Sequence, residues 1–544
     1  MNSLPGQMMQ MPLLISSLIT HAARHSGDTE IVSKRVEGDL HRYTWSEAEL
    51  RSRKLAQALV KLGCQTGDRV GTLAWNGYRH LEIYYGTSGN GLICHTVNPR
   101  LFPQQITWII NDAADRVLCF DLNLLPLVEK IAADCKTVEH FVLLGGRSQM
   151  PAQTTIPNLL CYEELVEAEN GDMVWPTFDE NTASGICYTS GTTGDPKGAV
   201  YSHRSTVLHS YAAAMPDAMN INSRDVVLPV VPMFHVNAWG IPYAAAMVGC
   251  KLVFPGPHLD GKSLYELFEA EQVTFSAGVP TVWLGLLTHM QTHRLKFSSF
   301  RCTVIGGAAC PPSMIDTLED DYGVEVVHAW GMTELSPLGT LSRLRAKHLG
   351  LPKEDQRRLL AKQGKAIFGI DMRIVDGAGT ALPWDGSVSG DLQVQGHWVV
   401  NTYFGISGSP LQDGWFPTGD VATIDANGFM QITDRSKDVI KSGGEWISSI
   451  ALENLAVGHP AVHQAAVISV AHPQWGERPL LTVVLKPGAS ATREELLAFY
   501  AGKIPNWQIP NDVIFLPELP HTATGKIQKL KLREAFRNHQ WSQP

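Results

Sequence analysis

Gly185-Ile-Cys-Tyr-Thr-Ser-Gly-Thr-Thr-Gly-Asp-Pro-Lys-Gly198 carries an apolar stretch directly into a loop of small residues. The eleven positions from Tyr188 to Gly198 hold Thr189, Ser190, Thr192 and Thr193, three glycines (Gly191, Gly194, Gly198) and Lys197. Glycines let a backbone turn tightly and approach a ligand. Successive N–H groups in such a loop form an anion-binding nest, the hydroxyls add donors and Lys197 adds a positive charge. The natural ligand is a polyphosphate. The spacing is not that of a Walker A loop, because Pro196 precedes the lysine and Gly198 follows it.

Working outward, β-rich apolar runs alternate with helical patterns. They include DRVGTLAW from Asp68, DVVLPVVPMF from Asp225, KLVFPG from Lys251, VTFSAGVP from Val273, TVIGGAA from Thr303 and VEVVHAWG from Val324. The stretch YTWSEAELRSRKLAQALVKLG reads as a helix, with Thr44 and Ser46 offering caps. Strand and helix in alternation predict an α/β fold of mainly parallel sheets, with ligands at the carboxyl ends of the strands. After about residue 365 the pattern changes to hairpins with turns such as Asp425-Ala-Asn-Gly428. A charged run follows, and then a second α/β pattern to the end. The expected layout is a large N-terminal domain of layered α/β subdomains plus a β-rich subdomain (1–436) and a small, mobile C-terminal α+β domain (437–544). The charged segment 345–365 reads as a solvated helical excursion.

The bulk numbers agree with a chain of several cores. At 544 residues the chain exceeds the roughly 250–300 that one core organises. A net charge of −9 argues against a nucleic-acid partner. Nine cysteines with no CxxC spacing read as buried free thiols rather than a disulfide or zinc framework. No run of about 18 apolar residues occurs. The N-terminus lacks the basic start and apolar core of a signal peptide. A cytoplasmic location is therefore expected.

YTSGTTGDPKG resembles the signature loop of the acyl-adenylate-forming superfamily, which includes acyl-CoA synthetases, adenylation domains and luciferases. The resemblance covers nearly the whole chain, and further motifs follow in the family's order. It implies that ATP is bound by Thr189, Ser190, Gly191, Thr192, Thr193, Gly194 and Lys197. In Val231-Pro-Met-Phe-His-Val-Asn-Ala-Trp239, it places His235 beside the reacting carboxylate and Trp239 at the acyl tunnel, with Val236 as a further apolar wall. Gly306-Gly-Ala-Ala309 brings adenine and acyl sites together through Gly306, Gly307 and Ala308. In His328-Ala-Trp-Gly-Met-Thr-Glu334, Trp330 can stack on adenine, Gly331 and Met332 line the site, Thr333 can bond the α-phosphate, and Glu334 suits Mg²⁺ with Thr189. Asp420 in WFPTGD is implied to bind the ribose hydroxyls, with Arg435 as its neighbour. Lys437 stands at the hinge position. Gly443, Gly444 and Trp446 belong to the loop that shapes the coenzyme A channel. Lys526, in Pro520-His-Thr-Ala-Thr-Gly-Lys526, is implied to reach the reacting carboxylate and the α-phosphate.

The implied activity is ATP-dependent ligation of a carboxylic acid to coenzyme A, through acyl-AMP. Lys526, Glu334 and His235 are the expected catalytic residues. The motifs are nearest to bacterial medium- and long-chain fatty-acid–CoA ligases and to methylthiopropionate–CoA ligases. Apolar Trp239 and Val236 favour an apolar acyl chain. A homodimer is expected from the same resemblance. The rival readings are a carrier-loading adenylation domain, a luciferase-like oxygenase and a non-catalytic nucleotide sensor. Intact Glu334, Asp420, Arg435 and Lys526 speak against the last.

Overall fold

The apolar runs become strands, and the strands form four sheets. The computed structural model describes residues 4, 6–189, 195–435, 438–442, 445–521 and 527–541. A nine-stranded sheet runs Lys365–Ala366, Leu338–Leu341, Glu325–Gly331, Cys302–Ile305, Phe275–Gly278, Val226–Pro229, Lys251–Phe254, Glu30–Lys34, Leu40–Thr44. Its members from Glu325–Gly331 to Glu30–Lys34 are parallel, and antiparallel strands close both ends. A seven-stranded sheet is parallel from Leu159–Cys161 to Ala183–Tyr188, and Gly198–Ser202 joins it antiparallel. Helices fill the space between these two sheets and cover their outer faces. Every residue of the helix Tyr78–Ser88 is buried, as a helix with a sheet on either side must be.

The β-rich part is an antiparallel meander of Ile370–Val375, Gly390–Gly396, Phe416–Ile424 and Met430–Arg435. Its last turn is the DANG segment: Asp425 Oδ1 accepts from the N–H groups of Asn427 and Phe429, and Gly428 sits at φ 82°. A further sheet holds Ile440–Ser442, Glu445–Ile447, Val462–His472, Gly476–Leu485 and Asp512–Phe515. Helices Ser449–Val457 and Lys529–Ala535 pack on it.

Three local expectations are refined. The helix Trp45–Lys61 is capped by Thr44 in a reciprocal box with Glu47, whereas Ser46 lies inside the first turn. The run DVVLPVVPMF is a strand only to Pro229. Pro229 and Pro232 lack N–H groups, and the Asn76 amide takes up the carbonyls of Pro229 and Val231 at 2.9 Å. The excursion 345–365 is two short helices, Ala346–Leu349 and Lys353–Leu360. The second has no buried residue, but His348 of the first is buried. All nine cysteines are free and buried.

Candidate active site

The glycine- and hydroxyl-rich loop follows the strand Ala183–Tyr188 and precedes Gly198–Ser202, with Tyr188 opposite Gly198. Its ends are clamped. Thr189 N–H donates to the Lys197 carbonyl at 2.9 Å, and Lys197 N–H donates to Thr189 Oγ1 at 3.2 Å. Ser190, Gly191, Thr192, Thr193 and Gly194 lie outside the described residues.

Glu334 sits in the turn Thr333–Leu335, just past the strand Glu325–Gly331. Gly331 is needed there, because a Cβ would lie 2.0 Å from the Pro337 carbonyl oxygen. The Thr333 carbonyl accepts from Tyr201 Oη at 2.7 Å. The Glu334 carbonyl accepts from Val400 N–H at 2.8 Å, and its Oε1 accepts from Tyr403 Oη at 2.8 Å. The Tyr403 ring also lies 5.1 Å from Lys197 Nζ. Sequence reasoning missed Tyr201 and Tyr403. Each stands outside the quoted motifs and meets them only through the tertiary fold.

Trp330, Asp420 and Arg435 form one wall. Trp330 Nε1 donates to Asp420 Oδ2 at 2.9 Å, and Arg435 Nε meets Asp420 Oδ1 at 2.7 Å. Asp420 and Arg435 are register partners on adjacent strands. This wall lines a cavity of about 570 Å³ together with Gly307, Ala308 and Gly331. The cavity also touches Gln363, a further residue missed from sequence. Its Oε1 accepts from Ile432 N–H at 2.7 Å, while His328 behind it accepts from Cys310 N–H at 3.3 Å. Burial pushes the His328 imidazole down to about 4, so it stays neutral and can accept.

The segment bearing His235 and Trp239 takes an unusual shape. Val236, Asn237, Ala238 and Trp239 have φ of 47°, 52°, 50° and 57°. A left-handed turn of L residues costs about 1–2 kcal/mol per residue, and a β-branched Val is the worst placed of the four. Burial of all four side chains offsets this. The result is that the Trp239 indole lies over Gly306, 3.3 Å from where a Cβ would stand. Gly306 therefore admits the ring, and His235 occupies the partly exposed entry to the turn.

The opposite face of the cavity belongs to the other sheet system. Ile450, Glu453, His463, Lys486, Ile527 and Lys529 line it. Ile527 directly follows the loop of Lys526, which lies outside the described residues, as do Lys437, Gly443 and Gly444. Trp446 lies on the strand Glu445–Ile447, in register with Lys441; its side chain is outside the described set. Hydrogen bonds join the two faces at a seam, with an ion pair of the second system beside them. Asp434 accepts from Ser449 N–H at 2.6 Å and from Ser449 Oγ at 3.0 Å, and Lys529 Nζ meets Glu453 Oε1 at 2.7 Å.

The model of the AMP-binding enzyme family matches residues 18–404, and that of the AMP-binding enzyme C-terminal domain matches 451–526. The chain belongs to the AMP-binding enzyme family. It is 56% identical over 534 residues to a 3-methylmercaptopropionyl-CoA ligase of Ruegeria lacuscaerulensis, covering 98% of this chain and 99% of that one. It is 52% identical over 532 residues to a medium-chain-fatty-acid–CoA ligase of Ectopseudomonas oleovorans, covering 98% and 97%. A crystal structure of an anthranilate CoA ligase in complex with anthranoyl-AMP superposes with a TM-score of 0.86 over 97% of this chain and 98% of that one. At 22% identity that likeness carries the fold.

In this AMP-binding enzyme the wall offers what a nucleotide needs: a carboxylate for paired hydroxyls, an aromatic edge and backbone free of side chains. Glu334 is a buried carboxylate on the side of the wall that faces Lys197 and Tyr403. Among the described residues no cluster of three or more His, Cys, Asp or Glu could hold a metal by itself. That donor set fits Mg²⁺, which takes one or two carboxylates and completes its shell with water and phosphate oxygens. No described helix is long and apolar enough to cross a membrane.

Proposed function

We propose that the acid activated by this ATP-dependent acyl-CoA ligase is a medium-chain fatty acid, and that the residues assembled above carry the chemistry. The observation behind the acyl reading is the buried turn Val236–Trp239, which lays an indole over Gly306 at the edge of the nucleotide wall. An apolar wall at that point suits an apolar chain and leaves a charged tail unsolvated. The kinship with a medium-chain ligase supports the same reading. A second reading, methylthiopropionate as substrate, is favoured by the 56% identity to a 3-methylmercaptopropionyl-CoA ligase.

The ligation has two half-steps. A carboxylate oxygen attacks the α-phosphorus of ATP, the bond to the bridging oxygen breaks, and pyrophosphate leaves. The CoA thiol then attacks the acyl carbon, loses its proton and displaces AMP. Both steps need positioning and charge neutralisation more than covalent help. Lys197 and the loop amides face the phosphates. Asp420, held by Trp330 and Arg435, takes the ribose, and His235 stands at the carboxylate. Mg²⁺, held by Glu334 and Thr189, would neutralise phosphate charge. Lys526 serves the first step and the Gly443–Gly444 loop with Trp446 the second. The C-terminal domain, 437–544, therefore turns about Lys437 between them. Assembly as a homodimer in the cytoplasm belongs to the same proposal.

The test is pyrophosphate release with Mg·ATP and CoA across straight-chain acids from acetate to palmitate, with methylthiopropionate alongside. A maximum between hexanoate and decanoate is expected. A maximum at methylthiopropionate selects the second reading, and ATP binding without release under any acid returns the chain to a nucleotide sensor. In the same assay Lys526→Ala should lose acyl-AMP formation by about 3–4 kcal/mol while keeping thioester formation from supplied acyl-AMP. An equal fall in both half-reactions would refute the turning domain.

A further inference from the structure

Lys197 and Glu334 carry opposite charges in one site, yet among the described residues no ion pair joins them. The phenol of Tyr403 engages both. Its ring lies 5.1 Å from Lys197 Nζ, and its hydroxyl donates to Glu334 Oε1 at 2.8 Å. The backbone around it is stitched to both partners. Val400 N–H donates to the carbonyl of Glu334 itself at 2.8 Å, and Phe404 N–H donates at 2.8 Å to the carbonyl of Gly198, next to Lys197. Tyr403 also bridges to Ala199. The segment 400–404 is thus pinned at one end to the carboxylate's residue and at the other to the lysine's neighbour.

An ammonium on a flexible four-carbon stem is drawn to a nearby carboxylate when nothing intervenes; Lys197 is exposed and free to swing, and Glu334 is buried and fixed. Such a pair would cancel the charge that a phosphate needs and occupy the oxygens that a metal needs. An aromatic ring offers the cation a π face without neutralising it. A phenol hydroxyl fixes one carboxylate oxygen and leaves the other free.

We propose that Tyr403 is a positioning residue that holds the phosphate-loop lysine and the Glu334 carboxylate apart and aimed, so that the site meets its substrate with both charges uncancelled. The inference rests on the reading of Lys197 as a phosphate ligand and Glu334 as a metal ligand.

The experiment uses the full chain as wild type, Tyr403→Phe, Tyr403→Leu, Glu334→Gln and the Tyr403→Leu/Glu334→Gln double variant. Calorimetry reads ATP binding with Mg²⁺ and with EDTA, and thermal unfolding is read in parallel. Tyr403→Phe keeps the ring and loses the hydroxyl. It should weaken the Mg²⁺ dependence of ATP binding by about tenfold and leave metal-free binding unchanged. Tyr403→Leu should also weaken metal-free ATP binding by about threefold, because Lys197 then pairs with Glu334. Adding Glu334→Gln should restore that metal-free binding, a rescue that general damage to the fold would not produce. Wild-type binding by both Tyr403 variants, or a loss that tracks the melting temperature and is not rescued, would overturn the proposal. Glu334→Gln alone separates the two layers. If it leaves the Mg²⁺ requirement unchanged, the metal-ligand reading fails and the proposal falls with it. If it abolishes the requirement while both Tyr403 variants behave as wild type, the proposal alone fails.

Discussion

Asp420 and Asp434 sit on adjacent strands of one sheet and line one cavity, but they are held in opposite ways. Asp420 is fixed from within its own unit, by the Trp330 indole and by its register partner Arg435. Asp434 is fixed from across the seam, by Ser449 on a helix of the neighbouring sheet system, with Lys529 and Glu453 beside it. Arg533 and Asp438 pair nearby. The first arrangement survives any movement between the two systems. The second exists only while they are docked. The wall around Asp420 is therefore held within one unit, whereas Asp434 is held by contacts between two.

The hardest blow to the wall is Gly331→Ala. The added methyl would meet backbone, the Pro337 oxygen at 2.0 Å and its carbonyl carbon at 2.8 Å, so the chain carrying Thr333 and Glu334 must shift. Displacements of about 1 Å at a reacting site cost on the order of a hundredfold, and ATP–pyrophosphate exchange should fall by at least that much. Exchange within a few-fold of wild type would show that the wall tolerates movement and would erase the contrast with the seam.

Lys529→Met attacks the other side. It leaves Asp434 and Glu453 without their cation, and burial already pushes both carboxyls above the ordinary carboxylate range. Removing one partner of such a cluster costs about 3 kcal/mol. The loss should appear as earlier proteolytic cleavage around residues 436–444, with ATP binding by the wall little changed. A uniform fall in stability of the whole chain, with ATP binding lost in step, would mean that wall and seam are one cooperative unit.

What could be read from the sequence follows the range of the forces involved. The strands, the DANG turn and the Thr44 cap were legible because alternation, turn chemistry and capping act within a few residues. The pairing of Asp420 with Arg435 was legible because both lie in motifs whose order along the chain is informative. Tyr403, Tyr201 and Gln363 were not, because each reaches its partner across more than sixty residues and carries no local signature. The turn at Val236 runs against local propensity: a β-branched residue followed by three more at positive φ is set by packing of Trp239 on Gly306 and of the following Gly240 against His209, not by its own sequence. The seam was equally invisible, since Ser449, Glu453 and Lys529 each read as ordinary surface helix residues.

Acid should divide wall from seam by sign. Burial holds His80, His203 and His328 down at about 4 and His209 at about 3, and all four are in the large unit. Three must be neutral to do their work: His209 Nε2 accepts from Leu338 N–H and His328 Nε2 from Cys310 N–H, both at 3.3 Å, and His203 Nδ1 accepts from Ile15 N–H at 3.1 Å. Their folded values lie below the ordinary 6.5 that applies when the chain is unfolded. The unfolded chain therefore binds more protons between about pH 6.5 and 4, and the stabilisation is complete above that window and lost as pH falls through it. The seam carboxylates Asp434 and Glu453 are shifted upward, so their contribution is complete in acid and declines as pH rises. Thermal unfolding followed from pH 8 to pH 5 should be flat at the alkaline end and fall below about 6.5. His328→Gln should make that fall shallower by about 1.4 kcal/mol per pH unit, the share of one proton. Hydrogen exchange at pH 5.5 should open peptides of Glu325–Gly331 before those of Ser449–Val457. Opening in the reverse order, or an unchanged slope in His328→Gln, would mean that the buried imidazoles do not set the acid limit of the wall.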